Sequence, residues 1–191
     1  MAPLSRENLG KFLLDGTATG ETRMALSWVE RDLGISLSPE NAHVVRAIAA
    51  VKVGTPSEAV ARILGWKEFE GFCASLFRAK GFDVTENLTM TKPRGQVDLL
   101  ARTTSVALAV DCKHWARSRG ASALSRVASA QSRRADLLRL KMGGVEPMVV
   151  VIVVLADEAT RYVNGAAVVP IHALGDFIDN FDRYAEGLPR H

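Results

Sequence analysis

Apolar and polar positions follow two different periods along this chain, and the change of period divides it near residue 64. Before that point the pattern is helical throughout. Met24, Leu26, Trp28, Val29 and Leu33 form a mostly apolar stripe over residues 21–33, and Gly34 supplies a stop. Ser38-Pro39-Glu40-Asn41 offers a serine N-cap followed by proline at the first helical position, and predicts a helix over 42–51. Lys52-Val53-Gly54 is a tight break. Thr55-Pro56-Ser57-Glu58 then has capping-box spacing and predicts a helix over 56–64, ended by Gly65. Two short helices around a glycine turn have the outline of a helix-turn-helix. Arg62 is the one basic residue of the second, however, which suits a helical cap or dimerisation bundle better than a base-reading helix.

After residue 64 helical and strand periods alternate. Phe69, Cys73, Leu76 and Phe77 lie at i, i+4, i+7 and i+8, the core stripe of a helix over 66–80 that Gly81 ends. Phe82-Asp83-Val84 opens a first strand, with 87–94 as a polar approach loop. Residues 97–101 and 106–110 are two apolar runs separated by the polar turn Arg102-Thr103-Thr104-Ser105, a hairpin. The second run is too continuous for a half-exposed strand and suits a central one. A basic helix over 121–141, packing through Ala123, Val127, Ala130, Leu137 and Leu138, is followed by the aliphatic strand 148–155. A short helix over 157–162, a last strand over 167–171 and a closing helix over 174–184, with His172 structural at its start, complete the pattern. The order α-β-β-β-α-β-α-β-α predicts an α/β domain over 64–191, a mixed sheet flanked by helices, behind a small all-helical region over 1–63.

Composition alters this picture little. The 191 residues are 48% hydrophobic and 24% charged, as in an ordinary globular protein. No apolar run reaches the ~20 residues of a membrane span, and no signal peptide opens the chain, so no membrane role and a cytoplasmic location are expected. Cys73 and Cys112 are too few for a disulfide framework or a zinc site, and read as reduced packing residues. Charge is more informative. Residues 1–65 are neutral, residues 66–144 carry +7 and residues 145–191 carry −4. The positive excess collects where a phosphate backbone would need it.

The chemistry lies at the end of the hairpin. Asp111-Cys112-Lys113 closes the second run, with Asp111 and Lys113 on one face and Cys112 on the other. Pairing across the turn can bring Asp98 beside Asp111. An unpaired carboxylate inside an apolar run is costly, so Asp98 needs a reason to be there. Two converging carboxylates are hard oxygen ligands for magnesium or manganese, and a lysine beside them can hold a water and offset phosphate charge.

Glu70 on its helix, then Gly95-Gln96-Val97-Asp98, then Val110-Asp111-Cys112-Lys113, resembles the PD-(D/E)XK nuclease superfamily, closest to its Mrr-like restriction endonuclease and archaeal Holliday-junction-resolvase branches. The resemblance covers about residues 64–181 and departs from the usual motif in carrying Val97 before the first acid and aspartate as the second. It implies a restriction-endonuclease-like fold and a Mg2+-dependent DNA endonuclease of restriction or repair, with Mn2+ substituting. Asp98, Asp111 and the backbone carbonyl of Cys112 would ligate the metal, Glu70 would do so through water, and Lys113 would orient the attacking water. Gln131 falls where related nucleases place a glutamine facing the site. Lys92, Arg94, His114, Arg117, Arg119, Arg126, Arg133 and Arg134 are candidate DNA contacts, and His114 alternatively braces the lysine strand. A homodimeric junction resolvase and a catalytically silent DNA-binding module are the alternatives.

Overall fold

The computed structural model describes residues 3–91, 94–143, 147–156 and 159–185. Four helices come first: α1 (Arg6–Gly10, continued by a π-helical turn over Lys11–Asp15), α2 (Gly20–Leu33), α3 (Ala42–Lys52) and α4 (Ser57–Ala61). Then follow α5 (Trp66–Ala79), β1 (Asp83–Thr91), β2 (Arg94–Arg102), β3 (Ala107–Lys113), α6 (Ala121–Lys141), β4 (Met148–Val154), β5 (Arg161–Val163), β6 (Ala166–Pro170), α7 (Leu174–Asp179) and α8 (Phe181–Ala185). The strands form one sheet in the order β1-β2-β3-β4-β6-β5. β3, β4 and β6 are parallel; β1 and β2 at one edge and β5 at the other run antiparallel to their neighbours. This is the expected mixed sheet flanked by helices, behind a helical N-terminal region.

Alternation along the central strands sorts their side chains to two layers. Leu108, Val110, Cys112, Val149, Val151 and Val153 join a core with α5, built on Phe69, Phe72 and Phe77. Ala107, Ala109, Met148, Val150, Ile152 and Val154 face α6, where Leu124, Ala128, Ala135 and Leu138 meet them. Both faces of β4 are buried, as its unbroken aliphatic run requires. The N-terminal helices have no separate core: Phe12, Val29, Val45 and Ile48 belong to the α5 layer.

Four local expectations are corrected. The polar stretch from Asn87 is not a loop but the outer half of β1, an edge strand whose solvent side is polar. Residues 161–163 are strand, not helix, and pair with β6 across Asn164-Gly165. Both turn residues have positive φ, 47° and 79°, as a two-residue hairpin loop demands; Asp157 and Glu158, the start of the expected helix, lie outside the described residues. α4 is only Ser57–Ala61 and has no capping box, because Thr55 Oγ1 accepts from the Leu4 amide instead and Pro56 takes the N-cap position. α3 starts without its Ser38 cap: the Asn41 side chain accepts from the Ser38 amide, closing a turn ahead of the helix.

One irregularity bears on the site. Along β1, Val84 joins the α5 layer while Leu88 and Met90 join the α6 layer, although all three share parity. β2 switches in the same way between Val97 and Leu99. The switch occurs at Asn87, which has φ 54°, and at Asp98 opposite it. Asn fits this left-handed backbone better than most residues. The hairpin tip therefore turns toward α6, and Asp98 sits at the step.

Candidate active site

Two elements deliver the acids. β2 and β3 pair as Leu99↔Val110, Leu100↔Ala109 and Ala101↔Leu108. One step further along this register puts Asp98 opposite Asp111. There the Asp98 side chain replaces the ladder: its Oδ2 accepts from the Cys112 amide at 2.8 Å. In a strand the N–H and C=O of one residue point to the same side, so the Cys112 carbonyl also faces the β2 side. The Lys113 carbonyl faces the other way and accepts from Leu155 at 3.1 Å and Trp115 at 2.8 Å.

Asp111 is 2% exposed, on the α6 face of β3. Lys113 Nζ lies 2.6 Å from its Oδ2. That oxygen accepts no hydrogen bond of good geometry, so the contact is an ion pair. Arg134 of α6 reaches the other oxygen, with Nη1 3.4 Å from Oδ1, and donates at 3.0 Å to Gln131 Oε1. Gln131 is fully buried, and its Nε2 has no partner among the described residues.

Glu70 approaches from α5 and is 9% exposed. Loss of water around its carboxyl pushes the pKa up to about 7, and the negative charges of Asp98 and Asp111 push the same way against Lys113 and Lys67. Burial likewise raises Asp98, with Asp111 adding to it, while the Cys112 amide, Lys113 and Arg134 oppose. The three carboxyl groups thus feel one another, and Lys113 and Arg134, both paired with Asp111, offset their burial only in part. Among the described residues no three His, Cys, Asp or Glu side chains converge as a ready-made metal cage. Behind the strand, the Cys73 side chain, with burial, raises the Cys112 thiol well above its ordinary value, which keeps it protonated.

The expected DNA contacts divide. Arg94, Arg117, Arg119, Arg126 and Arg133 are exposed, and Arg119 stacks on Trp115 at 5.6 Å. Arg126 and Arg133 lie on the outer face of α6, away from buried Gln131. His114 Nε2 donates to the Ala61 carbonyl at 2.9 Å, and its ring packs on Phe69. Lys92 lies outside the described residues. Sequence reasoning placed Arg134 among the generic phosphate contacts and missed its hold on Asp111. The three-residue spacing from Gln131, one turn of helix, was the available signal.

The family model described as restriction endonuclease, the Mrr catalytic domain, matches residues 61–173. The chain belongs to this family. It is of PD-(D/E)XK type, so the Asp98, Asp111 and Lys113 constellation sits in a nuclease domain. A protein of Archaeoglobus fulgidus, named only as uncharacterized, is 30% identical over 122 residues, 62% of this chain and 93% of that protein. No solved structure matches the chain. No helix among the described residues is long and apolar enough to cross a membrane.

Proposed function

We propose that this nuclease is a divalent-metal-dependent DNA endonuclease whose acids are Asp98 and Asp111 and whose lysine is Lys113. The observation that carries this reading is the 2.8 Å bond from the Cys112 amide to Asp98, which locks the first acid beside the strand bearing the other two groups.

The donor set suits magnesium, with manganese as a substitute. Asp111 Oδ2 is buried and meets only the Lys113 ammonium, the Cys112 carbonyl faces Asp98, and burial together with mutual repulsion of the carboxylates raises Glu70 and Asp98, which a bound cation would relieve. Asp98, Asp111 and that carbonyl would hold the ion, with Glu70 reached through water. A bound cation of this kind supplies a Lewis acid toward the scissile phosphate and an acidified water.

The protein's own groups do the rest. Lys113, anchored on Asp111, orients the attacking water and meets the charge that builds on the phosphate. Gln131, whose carbonyl accepts from the arginine that reaches Asp111, has an amide nitrogen without a partner among the described residues. The exposed arginines of the loop after β3 and of α6 draw the backbone in without reading sequence. The residues before 64 act as a cap that completes the α5 layer.

Cleavage of a covalently closed circle, a flap and a four-way junction, assayed side by side with Mg2+, tests the reading. Nicking of the closed circle supports an endonuclease. Cutting confined to the junction would make it a resolvase. Binding to all three without a cut under any divalent cation would leave only a DNA-binding module.

A further inference from the structure

Both oxygens of Asp111 face a protein cation, and the two cations are not equivalent. Lys113 lies two residues along the same strand, 2.6 Å from Oδ2, with a side chain 27% exposed. Arg134 comes from α6, lies 3.4 Å from Oδ1 and is 37% exposed. Its contact with Asp111 is at the long end of hydrogen bonding, and the shorter bond of the same nitrogen goes to Gln131. The stem of Arg134 has a packing contact of its own, independent of the guanidinium. A Cβ placed on Gly95 would lie 3.8 Å from Arg134 Cγ, so the aliphatic part packs over the backbone at the start of β2. The guanidinium at its end can turn between the buried acid and solvent.

Resting on the reading of Asp111 as a metal ligand, we propose that Arg134 is a positioning residue that covers one oxygen of Asp111 until a DNA phosphate draws it away, so that DNA and the divalent cation promote each other's binding. A guanidinium beside Oδ1 neutralises the acid and repels a second cation arriving there. A phosphate competes well for it, because the planar fork of five donors matches phosphate oxygens two at a time. Arg94, Arg126 and Arg133, all exposed, supply the field that brings the phosphate near. Once Arg134 swings to the backbone, Oδ1 is free for the metal and the Gln131 carbonyl loses its donor. Any such coupling is reciprocal by thermodynamic necessity. Its use is restraint: the metal site is completed where DNA is present.

Each half of the exchange is tested alone, so cleavage never intervenes. Without DNA, Mn2+ is titrated calorimetrically into the wild type, Arg134→Gln and Asp111→Asn. Arg134→Gln is expected to bind about fivefold or more tighter than wild type, and Asp111→Asn to lose most binding. Equal affinity in wild type and Arg134→Gln, with binding lost in Asp111→Asn, overturns the proposal and leaves the metal site standing. Equal affinity in all three overturns both. In EDTA, a short labelled duplex is titrated by fluorescence anisotropy at several salt concentrations. The slope of log affinity against log salt should become shallower by about 0.9 in Arg134→Gln; an unchanged slope overturns the proposal. Should Arg134→Gln melt below the assay temperature, Arg134→Met keeps the stem, removes the charge and carries the same expected shifts.

Discussion

Glu70→Gln isolates the electrostatic strain of the site. In the folded protein burial, with Asp98 and Asp111, holds the Glu70 carboxyl protonated up to about pH 7, against an ordinary value of 4.5. The unfolded chain releases that proton near the ordinary value. Between these limits the native state binds more protons than the unfolded state, so stability falls as pH rises through the window and levels off above it. Undiscounted, a shift of that size corresponds to about 3 kcal/mol at pH 8. Screening by the solvent that reaches this groove reduces the expectation to about 1–2 kcal/mol. Glutamine keeps the shape and removes the ionisation. Urea unfolding in EDTA should therefore find the variant close to wild type at pH 4.5 and about 1–2 kcal/mol more stable at pH 8. Asp98, also raised, leaves a residual slope of the same sign in both proteins. Mg2+ should narrow the gap by favouring the ionised carboxylates of the wild type. A constant difference between pH 4.5 and 8, or a variant less stable at pH 8, would refute the reasoning.

Two further outcomes are expected. Lys113→Ala should lower nicking by about 10²-fold or more, the scale of losing one stabilising group, while duplex affinity in EDTA shifts less than about threefold, because one cation among many supplies little backbone attraction; wild-type nicking would remove Lys113 from the chemistry. A chain beginning near residue 64 should fail to unfold cooperatively, because it strips Phe12, Val29, Val45 and Ile48 from the α5 layer, at about 1.5–3 kcal/mol each; a sharp melt and unchanged solubility would show the cap to be dispensable.

The readable parts of this sequence were those with strong local signals. The α6 limits, 121–141, came from its length and helical period, and β4 from an aliphatic run that suits only a doubly covered strand. Asp98 was conspicuous because a carboxylate inside an apolar run demands a partner, and the partner is the Cys112 amide. β1 was shortened because an edge strand exposes most of its side chains and so carries loop-like polarity. β5 was misassigned although Val163-Asn164-Gly165-Ala166 contains the strongest short hairpin signal there is. The capping box at Thr55 failed for a tertiary reason, a competing donor 51 residues away at Leu4. Arg134 was hidden for another. In a helix dense with arginine, sequence does not mark the one turned toward a buried acid.

Relaxation of a supercoiled plasmid by wild type and by Asp111→Asn, with Mg2+ and with EDTA, tests the central claim most directly. Asp111 is the group on which Lys113, Arg134 and the metal would all converge. Nicking by the wild type with Mg2+, none in EDTA, and loss of about 10²-fold or more in the variant is the expected result. Equal nicking by both proteins, or nicking that persists in EDTA, would contradict the account.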